Sequence, residues 1–182
     1  MFASPAGAAK LDTGGASAQP SPAEVGSAPA LVGQDPGAVG RARFVAGRAV
    51  APGNAPPAVV AAIEAANRIV GKPYRYGGGH RSFEDTGYDC SGAVSYALRG
   101  AGLLRSPLDS TSFMRWGAGG RGRWITVYTN PGHAYVVIAG LRFDTSLGDR
   151  RSARTTATPG RGPRWGRSRS ARGFTARHPV GL

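Results

Sequence analysis

The single cysteine of this 182-residue chain lies in Asp89-Cys90-Ser91-Gly92, between a glycine- and tyrosine-rich stretch and a segment whose apolar residues recur at helical spacing. A thiol attacks a carbonyl carbon as thiolate, and the unpaired N–H groups at a helix N-terminus favour that anion. The position therefore reads as that of a nucleophile, the alternative being a small buried hydrophobe. A partner is found in Asn130-Pro131-Gly132-His133, a turn that opens the apolar run Ala134 to Ala139. A histidine at the mouth of a core strand can present its ring as general base to a thiol, or can simply cap the strand. In the next segment, Leu141 to Thr145, strand alternation puts Leu141, Phe143 and Thr145 on one side and Arg142 and Asp144 on the other. Asp144 could then orient the imidazole and stabilise its cation, or could merely end its strand.

These groups need rigid carriers. Pro56-Pro57 followed by Ala58 to Val70 predicts a helix stopped by Gly71 and Pro73. A second helix starts near Cys90, shows an apolar face of Ala93, Val94, Ala97, Leu98 and Ala101, and ends at Gly100 and Gly102. Ser110 to Trp116 reads as a short helix or turn, and Trp124 to Tyr128 as the first of three consecutive strands. Helices followed by an antiparallel sheet give an α+β architecture.

Composition divides the remainder. Residues 1–57 are dominated by Ala, Gly, Pro and Ser, with Phe2 and Phe44 as the aromatics, and read as a flexible arm unable to bury enough surface to offset chain entropy. Residues 58–149 form the expected catalytic domain, and 150–182 an extension with nine arginines and no acid. That extension is either a solvated tail or a segment pinned by Trp165 and Phe174. The formal charge of +13 makes a polyanion, whether nucleic acid, anionic lipid or anionic wall polymer, a possible partner of the extension. No stretch is long and apolar enough to span a membrane, and the opening residues lack the basic and apolar regions of a secretory signal. His80, His133 and His178 are too dispersed, and Cys90 too isolated, to predict a metal site, and no cofactor is expected.

Gly71-Lys72-Pro73-Tyr74-Arg75-Tyr76-Gly77-Gly78, then Asp89-Cys90-Ser91-Gly92, then Gly132-His133 before an apolar strand, resembles the NlpC/P60 family of papain-like cysteine peptidases, over about half the chain. The resemblance implies hydrolysis of amide bonds in bacterial cell-wall peptides, with Cys90 as nucleophile, His133 as base and Asp144 as the third residue. It also implies an extracellular or cell-wall location. Tyr74, Asp89 and Ser91 match positions that hold a substrate's free amine in relatives, although Asp89 is equally suited to cap the helix that begins at Cys90. Two other classes remain open: a papain-like amidase or acyltransferase, and a non-enzymatic polyanion-binding protein in which Cys90 is structural.

Overall fold

The computed structural model describes residues 39–147 and 161–182. All of them fall within one compact unit, Asp35–Leu182. Helix α1 (Pro57–Ile69) begins on a proline, whose fixed φ suits the first turn, and buries Val59, Ala62, Ile63, Ala66 and Ile69 along one stripe. Helix α2 (Cys90–Gly100) buries Ala93, Val94, Ala97 and Leu98. The two helices cross so closely that a Cβ on Gly100 would come within 2.2 Å of the Ala65 Cβ, which explains the glycine at that position. The short helix α3 (Ser110–Phe113) is capped by Asp109 and inserts Phe113 into the core.

Six strands form an antiparallel sheet. In chain order they are β3 (Ala118–Gly119), β4 (Ile125–Asn130), β5 (His133–Ile138), β6 (Leu141–Asp144), β7 (Arg164–Gly166) and β8 (Thr175–His178), arranged β3-β8-β4-β5-β6-β7. The expected α+β architecture is the one observed. Pairing of Val136 with Phe143 and Val137 with Arg142 fixes the register of β5 on β6. Side chains alternate across a sheet, so Val127, Ala134, Val136, Ile138 and Phe143 turn to the core while His133, Tyr135, Val137, Arg142 and Asp144 share the opposite face. Ala139 and Gly140 both have positive φ, at 46° and 82°, and make the two-residue turn between β5 and β6.

Both expected boundaries move. The folded part begins before residue 58, because a hairpin of β1 (Arg43–Val45) and β2 (Arg48–Val50) buries Ala49 and docks on α1. The Asn67 side chain of α1 accepts from the Ala49 N–H at 3.0 Å and donates to its carbonyl at 2.8 Å, closing a local ladder. It also accepts from the Trp165 indole at 2.8 Å. The arginine-rich extension likewise contributes β7 and β8, and Trp165 is buried against Phe143 with ring centroids 4.9 Å apart. Of the two readings of that segment, pinning by Trp165 and Phe174 is the one observed for residues 161–182. The arm up to residue 38, and residues 148–160, lie outside the described residues.

Candidate active site

Asp89 sets the position of the cysteine. Its backbone is extended and its carboxylate accepts from the Gly92 N–H at 2.8 Å, so the chain turns into α2 with Cys90 as the first helical residue. The glycine loop lies against that turn: a Cβ on Gly92 would stand 2.0 Å from the Gly78 carbonyl oxygen, and the Asp89 N–H donates to the same oxygen at 3.2 Å. Longer side chains would push the loop off the helix start. The loop is braced by Asp85, which accepts from the Gly79 N–H at 3.0 Å, and by the Tyr88 hydroxyl, which accepts from the Asp85 N–H at 3.1 Å and donates to the Phe83 carbonyl at 2.8 Å.

The structure brings Cys90, His133 and Asp144 together. The first two residues of β5 act on the Cys90 sulfur, the His133 ring by hydrogen bonding and charge and the Ala134 N–H as a donor, and both favour its anion. On the same ring, His133 Nε2 lies 2.9 Å from Asp144 Oδ1. Asp144 is fully buried and is held in turn by Ser146, whose N–H donates at 2.8 Å and hydroxyl at 2.9 Å. Arg142 and Arg169 stand 3.7 and 3.9 Å from its Oδ2, too far for hydrogen bonds but close enough to favour the anion.

Electrostatics follow from this packing. Burial on its own would raise the Cys90 thiol, yet the hydrogen bond and charge of His133, helped by the Ala134 N–H, hold it below its ordinary value. Burial likewise opposes protonation of His133, but its hydrogen bonds to Asp144 and Cys90 outweigh this and lift it to about 9. Asp144 is kept below the usual carboxylate range by His133 and Ser146 despite its burial. Below about pH 9, and above the lowered thiol value, the favoured state is a thiolate facing an imidazolium.

The sulfur opens onto a cleft of about 410 Å³ whose walls include Tyr74, Tyr76, His80, Asp89, Ser91 and Asp109. All three residues expected to hold a substrate amine therefore border it. The capping role of Asp89 is present as well, and its carboxylate is heavily engaged, with Oδ1 at 2.9 Å from His80 Nε2 and 3.3 Å from the Ser91 hydroxyl, and Oδ2 accepting from the Gly77 N–H at 3.1 Å. His80 also contacts the Ser91 hydroxyl at 3.2 Å, and its bond to Asp89 raises its pKa above the ordinary histidine value. Sequence reasoning considered His80 as a metal ligand alone and missed its place in the cleft; its position directly after Gly77-Gly78-Gly79 was the available signal. It also missed Ser146 and Arg169, which lie on either side of residues 148–160. The segment between β7 and β8 walls off the histidine, with the Phe174 ring 6.2 Å from that of His133 and Tyr135 beneath both.

No protein-family model matches the chain, and no curated protein matches it. Among solved structures, that of the peptidoglycan hydrolase RipB from Mycobacterium tuberculosis aligns over 69% of this chain, with a TM-score of 0.51 and 22% identity. The alignment spans 66% of the RipB chain, just under two thirds of its length. Rv1477, a hypothetical invasion protein of Mycobacterium tuberculosis, aligns over 66% of this chain and 61% of its own, with a TM-score of 0.46 and 21% identity. At this level the RipB structure shows a shared fold.

Proposed function

We propose that the chain is a cysteine peptidase of NlpC/P60 type that hydrolyses amide bonds in the peptides of bacterial peptidoglycan. The observation that carries this reading is the continuous relay from Asp144 through His133 to a sulfur that opens into a cleft. In the first half-reaction the Cys90 thiolate adds to the scissile carbonyl carbon, and the Cys90 N–H at the start of α2 donates to the oxyanion. His133 gives its proton to the leaving amine as the C–N bond breaks, leaving a thioester. Water, deprotonated by the now neutral His133, then displaces the sulfur and releases the carboxylic acid. Asp144 keeps one tautomer and orientation of the ring throughout.

The substrate class rests on the motif resemblance and on the fold shared with a peptidoglycan hydrolase. A cell-wall or extracellular site of action follows from that substrate. Tyr74, Asp89 and Ser91 form the proposed subsite for a substrate ammonium, where His80 already occupies Asp89 Oδ1 and must share or yield it. An amidase or acyltransferase would use the same relay with another acyl donor or acceptor. A purely structural Cys90 is disfavoured by its partial exposure and its hydrogen bond to His133.

Incubation of the purified chain with defined muropeptides, read by mass spectrometry, tests the reading. Wild type should release amide-cleaved products, and Cys90→Ala should lose turnover by several orders of magnitude with the fold retained. Equal turnover by the two proteins would refute the cysteine-peptidase mechanism. No cleavage of any muropeptide would refute the substrate class.

A further inference from the structure

On the face of the sheet turned away from the helices lies a second cavity, of about 450 Å³. Arg41, Arg121 and Arg169 line it together with Ser168, Tyr135 and Phe174. The three arginines come from separate segments, the first two held by hydrogen bonds of neighbouring residues and the third by ring contacts. The Ala42 N–H donates to the Ala139 carbonyl at 2.8 Å, which sets Arg41 over the β5–β6 turn. Arg121 is bracketed by the Gly120 N–H on the Ala176 carbonyl at 2.9 Å and by the Gly122 N–H on the Thr126 hydroxyl at 3.0 Å. Arg169 lies over the rings of Tyr135 and Phe174 at 5.6 and 5.3 Å.

No carboxylate lines this cavity among the described residues. Among the described residues, Asp144 stands 3.9 Å from Arg169 and already serves His133 and Ser146. Three arginines give the cavity a positive lining, which a ligand of more than one negative charge complements. A lone carboxylate carries too little charge, whereas phosphate esters carry more and match the planar guanidinium fork with two oxygens at a time. The volume exceeds that of one phosphate group and leaves room for the chain or sugar attached to it.

We propose that this cavity binds a phosphate-bearing ligand, gripped by Arg41, Arg121 and Arg169 on the sheet face opposite the helices. The site is distinct from the peptide cleft, so its test does not depend on the peptidase reading. It also uses one arginine of the C-terminal run, in contrast to diffuse attraction by the whole run. The ligand is either a small phosphorylated molecule or a phosphodiester polymer, and the shared group is the phosphate.

Calorimetric titration of the full chain with inorganic pyrophosphate and with a soluble glycerol-phosphate polymer, at low ionic strength, provides the test. Arg169 is left unchanged because it also touches the Asp144–Ser146 pair. The double variant Arg41→Gln/Arg121→Gln should weaken pyrophosphate binding by about tenfold or more, the scale of one lost charge-assisted bond. Arg105→Gln/Arg115→Gln removes the same charge from exposed arginines outside the cavity and should change it by less than about threefold, in keeping with general screening. Arg41→Lys/Arg121→Lys keeps the charge but loses the fork, and should still weaken binding. Tighter binding of the polymer than of pyrophosphate per phosphate would assign the site to a chain, and the reverse to a small phosphate; either upholds it. Failure of wild type to bind pyrophosphate or polymer, or equal weakening in the cavity and control variants, would overturn the proposal.

Discussion

The perturbation that probes the relay most directly is Asp144→Asn. The His133 ring sits at about 9 against an ordinary value of 6.5. At about 1.36 kcal/mol per pH unit, this difference corresponds to about 3 kcal/mol in favour of the imidazolium, shared between Asp144 and Cys90 and already net of the burial that opposes it. A raised histidine is protonated below its folded pKa, so the imidazolium and its stabilisation persist in neutral solution and are lost as pH rises through about 9. An asparagine can still accept from His133 Nε2 but supplies no charge. The alkaline limb of kcat/KM should therefore fall by about one to two pH units. With a midpoint near 7.5, the charged fraction at pH 8 would drop from roughly nine tenths to roughly a quarter. The assay is the pH profile of peptide cleavage, run beside the pH profile of Cys90 alkylation by iodoacetamide. Loss of the carboxylate also leaves Arg142, with its side chain only 10% exposed, without its anion, so thermal melts must confirm folding at each pH. An alkaline limb unchanged from wild type in the folded variant would refute the argument that Asp144 supports the His133 cation.

Three further perturbations have expected outcomes. Trp165→Ala removes a buried indole packed on Phe143 and bonded to Asn67, and should cost about 3–5 kcal/mol in denaturant unfolding; ending the chain at Gly160 removes β7 and β8 and should abolish cooperative unfolding by circular dichroism. A native-like melt in the shortened chain would show that the sheet does not need its last strands. Peptides with a free amine should be cut about a hundredfold more efficiently than acetylated ones if Asp89 receives an ammonium, and the advantage should shrink as pH falls through the raised pKa of His80, because protonated His80 competes for the same oxygen. Equal rates for the acetylated and free peptides would remove the amine subsite.

Periodicity disclosed the elements that carry the relay, because helices and core strands bury regular faces. Asp89 could be read as a cap, and the strand alternation put Asp144 on the face that His133 shares. The hairpin at 43–50 was hidden for a physical reason: its strands are three residues each and mostly exposed, and its turn uses Ala46 at φ 48° where an asparagine or glycine would advertise it. Strands β7 and β8 were masked by arginines, whose density left a solvated tail and a segment pinned by Trp165 and Phe174 equally open. Arg177 in fact turns its guanidinium to the Trp116 and Gly117 carbonyls at 2.7 Å each. His80 escaped notice because its partner is nine residues away across a loop, and no periodicity reports such a contact.

The placement of β8 has a consequence for timing. This strand is the last of the six in chain order, yet it lies between β3 and β4, and Asn67 ties β7 back to the β1–β2 hairpin. Long-range pairings of this kind form late, since the intervening chain must first be drawn together. Until β8 has paired, the sheet stays open between β3 and β4, and the Phe174 ring just before that strand is not held against His133. The surroundings of the thiol are thus completed only when the strands most distant in sequence have paired.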